Sequence, residues 1–160
     1  MNPKLLAPVA VLIFFSAYLL VECSSIQGGA EIYLTSLGTV EGKSFFYDRS
    51  ASRNWVQARQ YCEEYGMELA TITTEVQLQY LKSKHNATGF NSHHWIGLRN
   101  ARNLSAMAWD DTDLPVGNLT TAAFANHATD LICGAYRSQT APALEIWPCT
   151  TGSLGVLCQT

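Results

Sequence analysis

The side chains best equipped for chemistry fall into a few groups. Asp110, Asp111 and Asp113 form the densest acidic cluster, in the run Asp110-Asp111-Thr112-Asp113. Carboxylate oxygens converging on one point would suit a hard divalent cation. An EF-hand loop starting at Asp111 needs glycine at its sixth position and glutamate at its twelfth; Val116 and Ala122 stand there, so that mode fails. The plainer reading is a solvated loop tip. His93 and His94 are adjacent, and on a strand they point to opposite faces, so they do not share one metal. The sequence holds no His-Glu-x-x-His and no Gly-x-Ser-x-Gly, the zincin and serine-hydrolase signatures. The chain therefore reads as a non-enzyme, with no catalytic residue, no metal ligand set and no cofactor.

Cysteine chemistry depends on the compartment. Lys4 gives the first residues a positive charge, and Leu5 to Val21 is almost wholly apolar. Val21-Glu22-Cys23 before Ser24 puts compact residues where a signal peptidase reads. Residues 1–23 are expected to be a signal peptide, since the apolar run falls short of the roughly 20 residues a spanning helix needs. The mature protein is then secreted and extracellular, with no membrane span. Cys23 leaves with the signal, and Cys62, Cys133, Cys149 and Cys158 remain. An even number in a secreted chain reads as disulfides, with three pairings open. No Cys-x-x-Cys pair supports zinc, and oxidised cysteines are not nucleophiles. Asn86, Asn103 and Asn118 each open a glycosylation sequon, which would mark exposed loops. The net charge is −3, and no basic stripe exists, so nucleic acid is not a partner.

The elements that must position these groups can be read from period and punctuation. His94-Trp95-Ile96-Gly97-Leu98 reads as a central strand buried on both faces. Trp95 and Gly97 share one face and Ile96 and Leu98 the other; Trp95 is expected to fill the space that Gly97 leaves. Residues 24–40 form a short N-terminal segment, with an edge strand expected at Ile32-Tyr33-Leu34. Ser44 to Tyr47 is strand-like, and Asp48-Arg49-Ser50 should turn the chain. Asn54 caps a helix, with Gln57 completing a capping box and Gly66 ending it. Trp55, Ala58, Cys62 and Tyr65 form its inner face; Gln57, Arg59, Gln60, Glu63 and Glu64 form its wet side. Leu69 to Ile72 is a brief extended link. Thr74 starts a second helix, with Val76, Tyr80 and Leu81 facing inward and basic residues in its last turn. Arg99 to Asp130 shows no period, which over about 30 residues is unusual in a compact domain. Leu131 to Tyr136, Ala143 to Trp147 and Gly155 to Cys158 are the closing strands, with a turn over 138–142.

Together these residues resemble the C-type lectin-like domain, over about Phe45 to Cys158. Trp55-x-x-Ala58-x-x-x-Cys62 followed by Leu69-Ala70-x-Ile72 resembles the family's first helix and its exit. Trp95-Ile96-Gly97-Leu98 resembles its signature strand, and Trp109 the tryptophan that opens its long loop. Cys133, Cys149 and Cys158 follow in the family's order. The resemblance implies an α+β domain over 41–160: two helices flanking small antiparallel sheets, a long irregular loop and two disulfides. It also implies the pairing Cys62–Cys158 and Cys133–Cys149.

In sugar-binding members, the long loop and the strand after it hold calcium through a proline-containing triplet and a Trp-Asn-Asp triplet. Here the first region is Thr121-Ala122-Ala123-Phe124, and Trp147 runs straight into Pro148-Cys149. Leu131 stands where a glutamate is frequent. The implied function is a secreted binding protein whose carbohydrate recognition is weak or calcium-independent. The alternative is a protein-interaction module that kept the scaffold and lost sugar binding. The candidate binding residues are Asp110, Asp111, Asp113, Asn126, Glu145 and Trp147. The expected partners are a glycan or glycoprotein, or else a protein ligand or a homo-oligomer formed through the domain itself, since no heptads support a stalk.

Overall fold

The structure is a computed structural model that describes residues 33–85, 90–100, 107–116, 124–126, 131–137 and 143–160. The elements in order are β1 (Thr35–Val40), β2 (Lys43–Arg53), α1 (Trp55–Glu64), β3 (Glu68–Leu69), α2 (Glu75–Ser83) and β4 (His93–Asn100). Then come β5 (Ala108–Trp109), β6 (Phe124–Asn126), β7 (Ile132–Arg137), β8 (Leu144–Pro148) and β9 (Leu154–Gln159). The main path of the sheet is β1-β2-β9-β4-β7-β8-β6, with β3 on β9 and β5 on β4. Most pairings are antiparallel, but β4 runs parallel to β9 and β6 parallel to β8. The small antiparallel groups expected from the sequence are thus joined into one mixed sheet, and the β4–β9 seam joins them.

The central strand is buried on both faces, as its composition requires. Ile96 and Leu98 enter a core with Phe45, Tyr47, Leu81, Trp109, Tyr136 and Leu144. Trp95 enters the other, with Trp55, Ala58, Cys62, Ala135 and Val156. Two tryptophans brace β4: Trp55 Nε1 of α1 donates to Ile96 O at 2.8 Å, and Trp95 Nε1 donates to Arg53 O at the end of β2 at 2.7 Å. The room left by Gly97 is taken by backbone rather than by the Trp95 ring. A Cβ there would lie 2.9 Å from Leu69 O, and Gly97 N–H donates to Ala70 O at 2.9 Å. Glycine lets the β3 exit lie directly on the central strand.

α1 is capped as expected. Asn54 Oδ1 accepts from Gln57 N, and Gln57 Oε1 accepts from Asn54 N. Gly66 follows with a φ of 68°, and Met67 N–H returns to Cys62 O, so the last carbonyls are satisfied. The inner face also takes in Tyr61, while Tyr65 is only half-buried. In α2, Thr74 caps Gln77 N, but the Gln77 amide reaches Thr73 N instead of the cap. The expected inner face is corrected here. Val76 is exposed, Tyr80 is half-buried with its hydroxyl on Leu37 O, and Gln77, Leu78 and Leu81 face inward. A single turn of period was assigned to the wrong stripe.

Other boundaries move. The edge strand starts at Thr35, later than Ile32-Tyr33-Leu34, and lies within residues 24–40. Asp48-Arg49-Ser50 does not reverse the chain. β2 continues through it with a register shift between Asp48 and Arg53, and Asp48 Oδ1 accepts from Ser50 N at 2.7 Å. Within the aperiodic stretch, Asn100 ends β4, and β5 and β6 pair with β4 and β8. Strands of two and three residues leave no period to read. Leu131 lies outside β7 and is exposed. The turn over 138–142 lies outside the described residues, as do residues 1–23.

Both disulfides take the pairing that the resemblance implied. Cys62–Cys158 links α1 to β9 across 96 residues of sequence, and Cys133–Cys149 links β7 to the exit of β8 across 16. Loop entropy assigns them roughly 4–5 and about 3 kcal/mol. Replacing Cys62 and Cys158 together with alanine should therefore lower the denaturant midpoint more than replacing Cys133 and Cys149; equal or reversed losses would contradict the entropic account. Gly97→Val should destabilise by roughly 1–3 kcal/mol through overpacking, read as a lower melting temperature.

Candidate functional site

The acidic turn is built by β5. Trp109 is buried, and its N–H donates to Leu114 O at 2.9 Å while its carbonyl accepts from Asp113 N at 2.8 Å. Asp113 takes a φ of 54°, a conformation aspartate tolerates because its short side chain bonds locally. Asp110 N donates to Gly97 O at 2.7 Å, which fixes the turn against the central strand. Asp110 thereby pairs with Arg59 Nε of α1 at 2.6 Å and with Arg99 Nε of β4. Arg99 also holds Asp113 at 2.6 Å, and Arg59 holds Glu63 at 3.2 Å. Asp111 is exposed and, with Arg59, Glu63, Glu68, Leu69 and Asp110, lines a cleft of about 190 Å³. Nearby, Lys43 Nζ donates to Thr71 O at 3.1 Å and to Thr71 Oγ1. Burial lowers the Lys43 pKa, against the pull of Asp111, Glu68 and Glu41.

A second network crosses the other end of the sheet. In register, His93 of β4 faces Arg137 of β7, and Ala135 faces Glu145 of β8. Strand alternation then sets His93, Arg137, Glu145 and Trp147 on one face. The Glu145 side chain is 2 % exposed and accepts from Arg137 at 3.0 Å and from Trp147 Nε1 at 2.9 Å, with His93 Nε2 at 3.1 Å. The His93 and Trp147 rings meet edge to face at 5.7 Å. Bonds of this kind repay the desolvation of a carboxylate. The buried acid organises a guanidinium, an imidazole and an indole that are each partly exposed.

The six candidate residues thus do not form one site. Asp110, Asp111 and Asp113 sit at the β5 turn; Glu145 and Trp147 sit with His93 and Arg137. Asn126 lies on β6, in register with Ile146, and its side chain falls outside the described residues. So do Asn86, Asn103, Asn118 and Thr121-Ala122-Ala123. His93 and His94 point to opposite faces as expected. Arg59, Arg99 and Arg137 were missed by the sequence reading. Only the Arg59–Glu63 spacing of four carried a local signal; the other pairings exist only once distant strands meet. Among the described residues, no group of three or more His, Cys, Asp or Glu side chains could hold a metal ion. The described acids are largely committed to cationic partners. Glu145, Asp110 and Asp113 already answer guanidinium groups, and Leu131 offers no side-chain oxygen.

The sequence pattern of the lectin C-type domain matches residues 51–160. The chain is 35% identical over 79 residues to protein A16 of Anopheles gambiae, covering 48% of this chain and 41% of that protein. It is 35% identical over 72 residues to C-type lectin domain family 2 member D5 of Rattus norvegicus, covering 45% of this chain and 28% of that protein. The matched stretch thus spans less than half the length of these curated relatives. The fold is similar to the cow carbohydrate-recognition domain of CD23, with a TM-score of 0.58 and 18% identity over 81% of this chain and 93% of that one. It is also similar to a Ca2+-dependent type II antifreeze protein in its Ca2+-free form, with a TM-score of 0.59 and 19% identity over 81% and 98%. At such identities the likeness concerns the fold alone.

The two networks differ in burial, and that decides their energetic weight. Glu145→Ala leaves Arg137 and Trp147 without their acceptor and should cost about 1–3 kcal/mol, with a shift in tryptophan emission. Asp113 is largely exposed, and asparagine tolerates its positive φ as aspartate does, so Asp113→Asn should change stability by no more than about 0.5 kcal/mol. Denaturant titration of both variants checks the contrast.

Proposed function

From the premise that this chain belongs to the lectin C-type domain family, we propose that it is a secreted binding protein whose carbohydrate recognition does not require calcium. The observation that carries this reading is the pairing of Asp110, Asp113 and Glu145 with guanidinium groups. An acid held by arginine must share its oxygens with, or give up, that partner to serve a hard cation, which counts against a calcium site. The partly open Trp147, His93 and Arg137 array supports a polar ligand such as a glycan or glycoprotein. Export would remove residues 1–23 and expose the sequons at Asn86, Asn103 and Asn118 to glycosylation. Among the described residues, no helix is long and apolar enough to cross a membrane. No enzymatic role and no cofactor belong to this reading.

A second reading rests on Leu114 and Leu131, which are 60% and 58% exposed. Leu131 replaces an acid with an apolar side chain, which favours a protein ligand or a second copy of the chain over a sugar.

Millimolar calcium should leave the melting temperature unchanged, because a ligand selective for the folded state must raise it. Calorimetric titration into chelator-treated protein checks this directly; stoichiometric uptake at micromolar affinity would overturn the proposal. On a glycan array, equal signals with calcium and with chelator are the expected result. Silence under both conditions would transfer the case to the protein-interaction reading.

A further inference from the structure

His94 is fully buried, on the sheet face opposite His93. Its Nδ1 lies 3.0 Å from Ser92 O, a contact in which the ring nitrogen donates, so Nε2 is left as the bare acceptor. That Nε2 is buried and has no hydrogen-bond partner among the described residues. The ring is closed in from several elements. Phe90 lies 4.6 Å away and Tyr47 of β2 meets it edge to face at 5.6 Å. Tyr136 of β7 is its register partner and stacks on Phe90 at 5.3 Å. On the seam strand β9 the register partner is Gly155, where a Cβ would come 2.8 Å from His94 Cδ2 and 2.7 Å from Asp48 O. Nothing larger than glycine fits there.

A neutral imidazole suits this layer. A protonated one brings a charge and an Nε2 proton that has no acceptor among the described residues. The titratable and charged groups around it are Tyr47, Asp48 and Arg49 from β2, Tyr136 from β7, and His93 on its own strand; Phe90 and Gly155 contribute none. Arg49 and His93 oppose a positive His94, and Asp48 favours it. The Asp48 carboxylate, however, is engaged by Ser50 and Arg53. Burial raises the Tyr136 pKa and keeps its phenol neutral.

We propose that His94 is an acid-weakened latch on the β4–β9 seam: uptake of a proton by its ring is coupled to separation of β4 from the Tyr47, Phe90 and Gly155 layer, so the closed domain is secure at neutral pH and opens more readily in mildly acidic surroundings. Burial, opposed by the Ser92 bond, takes the pKa in the folded state down to about 3, while the unfolded ring keeps about 6.5. Between these values the unfolded state binds the extra proton, so stability rises with pH. The latch is therefore secure above about pH 6.5 and weakens progressively as pH falls below it. Asp48 acts in a different window. Burial pushes its carboxyl up, but the bonds from Ser50 and the charge of Arg53 outweigh this and hold it below its ordinary value. It has no part in the change between pH 6.5 and 5.

The test is the denaturant midpoint of the full chain from pH 7.5 to 5, for the native sequence and for His94→Phe. The native folding constant should fall up to tenfold per pH unit below about 6.5, which is about 1.4 kcal/mol, and the variant should lose that component. Single Gln substitutions at His85, His93 and His127 should retain it. Identical pH slopes in the native protein and His94→Phe would overturn the proposal. If His94→Phe does not fold, ring carbon shifts of labelled histidine in the native chain decide the matter. The His94 signal should stay neutral until the domain opens; reversible titration near pH 6.5 in the folded state would overturn the latch.

Discussion

The molecule depends on a close approach of backbones around the central strand. β4 and β9 run side by side only at His94–Gly155 and Trp95–Val156, and this short parallel contact joins two antiparallel groups. Side chains are excluded at the points of contact. Gly155 admits the Asp48 carbonyl and the His94 ring, and Gly97 admits Leu69 and Ala70. Because the seam is narrow, the tryptophans do the bracing. Trp55 reaches from α1 to the carbonyl of Ile96, and Trp95 reaches back to Arg53. These indole bonds span more than 40 residues of sequence and convert two local hydrogen bonds into a long-range clamp. The cores on the two faces can then pack independently against one shared strand.

What the sequence disclosed was proportional to how local its cause is. The Asn54–Gln57 capping box and the Gly66 terminus need only neighbours a few residues away, and both were readable. The two-sided burial of Trp95 and Ile96 was readable because a strand alternates. The cysteine pairing was not a matter of spacing, and came from resemblance. The misassigned face of α2 shows the limit of period on a short helix: Gln77 is inside because its amide satisfies Thr73, a bond that hydrophobicity does not encode. Asp48 to Ser50 has turn composition, yet the neighbouring β9 holds it in a strand.

The candidate site was legible in its residue types and illegible in its partners. Asp110, Asp113 and Glu145 were visible as acids, but their chemistry is set by arginines 11 to 51 residues away or on an adjacent strand. Pairing turns each from a prospective metal ligand into an anchor for a cationic side chain. The carboxylate of Glu145 thereby orients Arg137 and Trp147.

The long aperiodic stretch is held at two internal pins, β5 on β4 and β6 on β8. Closure entropy rises only logarithmically with length, about 0.6 kcal/mol per doubling. By closure entropy alone, a change in length between the pins carries little thermodynamic cost, provided Trp109 keeps its seat. Grafting a foreign recognition peptide between Val116 and Phe124 is the engineering counterpart of that small cost.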